Sequence, residues 1–147
     1  MEYTIRAGDV DHGGSASARI KVDLMKAGVD ATTARRAGIV AFEGEMNLIV
    51  YSDNGGTLRV TVEPDVIIIG LEDSGPGIAD IDLAMTPGYS TAPEWATNLG
   101  FGAGMGLVNM QKHSDLFEIH SHIGVGTTIQ CRINRKGDWA MKRREGS

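Results

Sequence analysis

A short apolar run near the middle of the chain, Val66 to Leu71, most constrains what the sequence can fold into. An apolar run of this length predicts a β-strand buried on both faces. Asp73 then emerges at the end of that strand, within the motif Glu-Asp-Ser-Gly-Pro-Gly-Ile at 72–78. The two glycines of this motif can take positive φ and let a flat ligand lie against the main chain, while the proline stiffens the turn. We therefore expect the Asp73 carboxylate to have a partner there.

A second glycine-rich stretch, Gly-Phe-Gly-Ala-Gly-Met-Gly-Leu, covers 100–107 and leads into a predicted helix that continues to Lys112. The first N–H groups of a helix lack intrahelical acceptors, and the helix dipole places positive charge there, so this stretch would face an anion. The two stretches together predict a nucleotide site. The aspartate among glycines would bind the base, and the glycine-rich helix start would bind the phosphates. The chain has neither a Walker Gly-Lys-Ser/Thr motif nor a strand-linked Rossmann fingerprint.

Length and charge limit the alternatives. The 147 residues suffice for one domain with a hydrophobic core, which we place at 1–135, followed by a flexible basic tail at 136–147. The net charge of −5 argues against nucleic acid or an acidic membrane as the main partner. Cys131 is the only cysteine, which fits a reducing compartment. Because the sequence has neither a membrane-spanning run nor a signal pattern, we expect a cytoplasmic protein.

Two helices are predicted in the first third of the chain. Ser15 or Ser17 can cap the first, which ends at Gly28, and Asp30 caps a second, longer helix. The second helix is amphipathic and ends at the Asn-Gly-Gly sequence 54–56.

Two hairpins and a long loop follow. Alternating apolar residues predict strands on both sides of a turn at 63–65 and again on both sides of a turn at 124–126. We predict a short helix over Asp80 to Met85. Residues 86–103 are predicted to form a loop long enough to act as a lid. The fold class is α+β, a two-layer α/β sandwich whose mixed, mostly antiparallel sheet is covered on one face by helices.

Glu43 and Asn47 lie one turn apart on the second helix, beside its apolar stripe. An asparagine oxygen is a hard ligand suited to Mg²⁺, and a neighbouring glutamate can accept a proton from an incoming hydroxyl. The alternative is that both residues form an ordinary polar edge of an amphipathic helix. Taken alone, the pair favours that alternative.

The order of the three motifs resembles the Bergerat (GHKL) ATP-binding fold of histidine kinases, Hsp90-type chaperones, gyrases and anti-sigma-factor kinases. These motifs are Glu43 with Asn47, then Asp73 to Gly77, then Gly100 to Gly106. The small size, the lid sequence 84–91 and the closing Gly-Val-Gly-Thr-Thr at 124–128 are similar to the bacterial partner-switching serine/threonine kinases. The resemblance covers about residues 1–135.

The resemblance implies the cofactors ATP and Mg²⁺, and a role for each motif residue. Asn47 would ligate Mg²⁺, Glu43 would be the catalytic base, and Asp73 would accept the adenine amino group. Thr127 or Thr128 would support the base through water. The remaining nucleotide-binding positions lie in the two glycine-rich motifs: Gly75, Gly77, Ile78, Gly100, Gly102, Gly104, Met105 and Gly106.

The sequence departs from this pattern in two places. Glu45 is a second acid inside the first motif, and no Lys or Arg lies between Asp80 and Gly106. His120 and His122 alternate onto one strand face, but the sequence supplies no third metal ligand beside them, which favours a structural reading. Trp95 can either touch a partner or pack onto the lid itself.

The leading functional hypothesis is a serine/threonine protein kinase that phosphorylates a small regulatory partner such as a STAS-type antagonist. The acidic lid favours an alternative, a nucleotide-controlled binding module that sequesters or activates a sigma factor or phosphatase without catalysis. A third hypothesis is a detached histidine-kinase catalytic domain. Homodimers are common in the family that the chain resembles.

Overall fold

The computed structural model describes residues 1–98 and 104–135. The elements in chain order are β1 Glu2–Ile5, a 3-10 turn at Val10–His12, α1 Ser15–Lys26, α2 Ala31–Tyr51, β2 Gly56–Val62, β3 Val66–Asp73, α3 Ile81–Ala84, α4 Glu94–Asn98, α5 Gly106–Lys112, β4 Leu116–His122 and β5 Gly126–Asn134. No helix in this described part of the chain is long and apolar enough to cross a bilayer.

The strands form one five-stranded sheet in the order β1-β2-β3-β5-β4, and every neighbouring pair is antiparallel. Both predicted hairpins, β2–β3 and β4–β5, are confirmed. The helices cover one face of the sheet, as the predicted α+β sandwich requires. The apolar run forms the central strand β3, with Ile67 and Ile69 completely buried. Its last residue, Asp73, therefore lies at the edge of the core.

The core lies between the sheet and the long helix α2. Residues that alternate along β5, including Ile129, Cys131 and Ile133, point toward the helices and are buried. Burial raises the pKa of the Cys131 thiol to about 11, although Ser114 offsets part of the shift. Its place as a buried strand residue is the one that the alternation predicts.

The two N-terminal helices begin differently. Asp30 caps α2 as predicted, because its side chain accepts a hydrogen bond from Thr33 N at 3.0 Å. The cap of α1 was predicted wrongly, because its N-cap residue is Gly14, which has no side chain. Instead, Glu45 on α2 accepts hydrogen bonds from Ala16 N at 3.2 Å and Ser17 N at 3.1 Å. This acid is buried and belongs to the packing of α1 on α2.

The lid, defined from here on as the segment 80–105 between β3 and α5, contains more structure than predicted. Asp80 caps α3 by accepting a hydrogen bond from Leu83 N at 3.0 Å, which confirms the short helix there. The segment assigned to a loop at 86–103 contains a second short helix, α4. This helix forms because Ala96 is completely buried in the core. Trp95, beside it in the sequence, remains 40% exposed. The remainder of that segment, 99–103, and the predicted tail at 136–147 lie outside the described residues.

Candidate functional site

A cavity of about 340 Å³ lies between the second half of α2, the end of β3 and the lid. That volume falls within the range of small-molecule and cofactor pockets. Six elements or connections supply its walls: α2, the end of β3, the loop after β3, the lid, the start of α5 and the start of β5. The lining residues that matter most for its chemistry are Asn47, Tyr51, Asp73, Gly77, Ile78, Ser90, Gly106 and Thr127.

Asp73 is held in place by the main chain around it. Its Oδ1 accepts hydrogen bonds from Gly75 N at 3.0 Å and from Thr127 N at 3.1 Å. Oδ2 takes part in neither bond, while the residue itself lines the cavity. The aspartate thus presents an oriented acceptor to a ligand, and that acceptor suits an exocyclic amino group of a base.

The loop after Asp73 is fixed by the β4–β5 hairpin. Gly77 has φ +80, and a Cβ there would lie 2.5 Å from the carbonyl oxygen of His122, so only glycine fits. Ile78 N donates a hydrogen bond to Ser121 Oγ at 2.6 Å, and this oxygen also bonds Thr127 Oγ1 at 2.8 Å. Gly77 and Ile78 line the cavity, whereas Gly75 lies beneath them against Ser52 and Asp53.

The two threonines at the start of β5 face opposite sides of the sheet. Thr127 is buried and lines the cavity. Thr128 is exposed and lies opposite Glu72 and His120, on the face that no helix of the described residues covers. The alternation of side chains along a strand requires this difference. Thr127 is therefore the residue of the pair available to a ligand or to a water bound beside it.

The long helix α2 supplies a row of polar side chains to the site. Asn47 and Tyr51, one turn apart, line the cavity. Glu43, one turn before Asn47, is partly buried, and its Oε1 accepts a hydrogen bond from Asn109 Nδ2 at 3.3 Å. Burial raises the pKa of Glu43, while the Asn109 hydrogen bond and the nearby His113 lower it in part. A partly buried carboxyl with a raised pKa is suited to accept a proton.

The glycine-rich lid end is only partly described. Gly104 and Gly106 line the cavity, and Gly104 O accepts a hydrogen bond from Gly88 N at 3.1 Å. Helix α5 begins at Gly106, and Met105 before it is 39% exposed and is not part of the cavity wall. The predicted phosphate-binding positions Gly100 and Gly102 lie outside the described residues.

Sequence reasoning missed three side chains that the fold brings to the site: Tyr51, Ser90 and Ser121. Tyr51 could have been found, because it follows Asn47 by one helical turn. Ser90 bonds the Tyr51 hydroxyl across the cavity wall at 2.7 Å, and Ser121 supports the loop after Asp73. Ser90 belongs to the lid sequence 84–91, but nothing near either serine indicates its partner, since each acts through a contact distant along the chain.

Among the residues that the structure describes, no group of three His, Cys, Asp or Glu side chains is placed to hold a metal ion. A site that depends on Asn47 alone fits Mg²⁺ only where phosphate oxygens and waters complete the coordination, and magnesium commonly binds nucleotides in this way. The Asn47 side chain borders the cavity in which those phosphates would lie.

Most of the chain matches a known protein family. Residues 32–137 match the family of histidine kinase-, DNA gyrase B- and HSP90-like ATPases. The chain belongs to this ATPase family. The matched region begins at α2 and includes every element that lines the cavity.

Curated relatives are similar over most of their length. The chain is 32% identical over 122 residues to the anti-sigma F factor of Pasteuria penetrans, covering 78% of each chain. It is 30% identical over 122 residues to the anti-sigma F factor of Geobacillus stearothermophilus, covering 78% of this chain and 80% of the relative. Among solved structures, the mycobacterial sensor histidine kinase MprB matches with a TM-score of 0.51 and 18% identity, over 70% of this chain and 72% of that one. This last similarity shows a shared fold.

Proposed function

We propose that this protein is an ATP- and Mg²⁺-dependent serine/threonine protein kinase of the partner-switching type, acting on a small STAS-type regulatory protein. The observation that carries the proposal is the place of Glu43. Its Oε2 faces Gly106, where a Cβ would lie only 3.3 Å away, and Gly106 lines the cavity. The carboxylate therefore lies at the cavity edge where the helix after the glycine-rich stretch begins.

The residues around the cavity suit an adenine nucleotide. Asp73 offers Oδ2 to the amino group of the base, and the loop at 76–78 lines the same cavity. Asn47 and Gly106 border the part of the cavity near Glu43, where the phosphates would lie. Mg²⁺ bound by Asn47 would neutralise charge on the phosphate oxygens.

The residues of this chain have two tasks in phosphoryl transfer. Glu43 accepts the proton of a serine or threonine hydroxyl of the partner as that oxygen bonds to the γ-phosphorus. The bond from the γ-phosphorus to the bridging oxygen breaks, and ADP leaves with the electron pair. The loop after Asp73 and the lid, which line the cavity, would hold the nucleotide for this transfer. Positioning of this kind supplies most of the catalysis in phosphoryl transfer.

The relatives support a regulatory partner. Proteins named anti-sigma F factors match this chain at about 30% identity over nearly four fifths of its length. We infer that the chain also binds a sigma factor or a phosphatase, and that nucleotide binding controls this association.

One sequence observation favours a second candidate function, a nucleotide-controlled binding module without catalysis. No Lys or Arg lies between Asp80 and Gly106, so the lid offers no basic side chain to the transferred phosphoryl group. In this case Glu43→Ala leaves partner regulation intact, whereas Asp73→Asn abolishes it. Loss of regulation in both variants contradicts the module.

The test of the kinase is transfer of ³²P from [γ-³²P]ATP to the STAS-domain proteins of the source genome, with and without Mg²⁺. Wild type should label a serine or threonine, and Glu43→Gln should lower the rate by about 100-fold or more. The matched control is Glu118→Gln, on the exposed face of β4, which should retain the wild-type rate. If no STAS-domain protein is labelled, the result contradicts the kinase and favours the binding module.

A further inference from the structure

Two polar contacts join α2 to α5 and to the residues that directly follow α5. Arg36 on α2 donates a hydrogen bond from Nη2 to the carbonyl oxygen of His113 at 3.1 Å, and its Nη1 lies 3.4 Å from Asp115 Oδ2. Seven residues further along α2, Glu43 meets Asn109. Because the first contact is at the end of α5 and the second nearer its start, the two helices run antiparallel. Two separated contacts fix their relative position.

Asn109 is an unusual residue for its place. It lies in the middle of a seven-residue helix, where asparagine is a poorer helix former than alanine or leucine. Its side chain is partly buried and faces α2, and its amide reaches a residue 66 positions away in the sequence. Helix propensity does not explain an asparagine at this position, whereas the hydrogen bond to Glu43 does.

The two oxygens of Glu43 have different neighbours. Oε1 accepts the Asn109 hydrogen bond, while Oε2 faces Gly106 at the cavity edge. A side chain at position 106 would crowd Oε2, so glycine leaves room there for a second group. Asn109 itself does not line the cavity.

We propose that Asn109 is a positioning residue, which holds one carboxylate oxygen of Glu43 so that the other is directed at the acceptor hydroxyl. This inference rests on the proposed kinase function. Without the amide, the terminal torsion of Glu43 is no longer fixed, and the carboxylate spends less time in the reactive orientation. Nucleotide binding should be unaffected, because Asn109 contributes nothing to the cavity wall.

The experiment measures total loss of the γ-phosphate from [γ-³²P]ATP with Mg²⁺, to a STAS-domain acceptor or to water, together with ATP affinity by calorimetry. Asn109→Ala should lower kcat about tenfold and change the ATP Kd less than twofold. The matched control is Gln111→Ala, an exposed amide on the same helix, which should match wild type in both measurements. In a Glu43→Gln background, Asn109→Ala should change the residual rate less than twofold, because the base that it positions is absent.

The outcomes separate the two proposals. Full activity of Glu43→Gln, or no turnover by wild type, overturns both the assignment of the base and the role of Asn109. An inactive Glu43→Gln with a wild-type rate for Asn109→Ala overturns the positioning role alone. A tenfold loss that persists in the Glu43→Gln background, or that is accompanied by an equal loss of ATP affinity, assigns Asn109 to the packing of α5.

Discussion

The hydroxyl of Tyr51, on the rigid helix α2, lies 2.7 Å from the hydroxyl of Ser90 in the lid. Ser90 Oγ also accepts a hydrogen bond from Ala92 N at 3.0 Å, so one serine links α2 to the main chain of the lid. Tyr51→Phe removes this link and keeps the ring that lines the cavity. We expect ADP to dissociate about fivefold faster, the equivalent of one hydrogen bond, as measured by stopped-flow release of a fluorescent ADP analogue.

Tyr3→Phe is the matched control for the lid contact. The Tyr3 hydroxyl donates a hydrogen bond to Asp23 Oδ2 at 3.1 Å, between β1 and α1, and Tyr3 is not part of the cavity wall. The control should leave the ADP dissociation rate unchanged. Equal rates for the two variants would mean that the Tyr51 hydroxyl does not restrain the lid.

Asp73→Asn should separate binding from folding. The asparagine Oδ1 can still accept the hydrogen bonds from Gly75 and Thr127, but its amide now directs a donor at the amino group of the base. We expect ATP affinity to fall about 100-fold by calorimetry, with little change in the free energy of unfolding.

Asp73→Ala should lose affinity and also about 2 kcal/mol of stability, since it leaves both N–H groups without their acceptor. Glu72→Gln, an exposed neighbour, is the control, and a normal affinity for Asp73→Asn would argue against a base contact.

The rate of phosphoryl transfer should depend on pH through Glu43. A general base acts when it is deprotonated, so the rate falls as the pH falls through its pKa. Burial raises the pKa of Glu43, which places this fall at a higher pH than an exposed glutamate would give. Because His113 lowers that pKa in part, His113→Asn should move the acidic limb of the kcat profile further up in pH. A profile that follows an ordinary glutamate and ignores His113 would assign the proton transfer to another group.

The sequence predicted those features that local chemistry determines. The apolar run became the central strand, Asp73 emerged at its end, Asp30 capped α2, and a short helix formed after Asp80. It could not predict contacts that only the tertiary fold creates. The amide of Asn109 reaches Glu43 across 66 residues, and nothing in the sequence near either residue indicates the other. The short helix α4 escaped prediction for the same reason, because Ala96 is ordered by the core it enters.

Glu45 and Glu43 are two residues apart, but removal of Glu45 should destabilise the protein far more than removal of Glu43. Glu45→Ala leaves Ala16 N and Ser17 N without their acceptor, and we expect a loss of about 2–4 kcal/mol in the free energy of unfolding by urea titration. Glu45→Gln keeps one acceptor oxygen and should lose roughly half as much. Glu43→Ala should change stability by less than about 1 kcal/mol, because Glu43 is only partly buried. Equal losses for the two alanine variants would contradict the different roles of the two acids.

The cap that Glu45 provides also bears on biosynthesis. The first helix obtains its N-terminal acceptor from a residue 28 positions later in the chain. The ribosome synthesises α1 before it reaches Glu45. Until α2 has been synthesised, the N-terminus of α1 therefore lacks the carboxylate that caps it. A nascent chain stopped before Glu45 therefore lacks the acceptor for the start of its first helix.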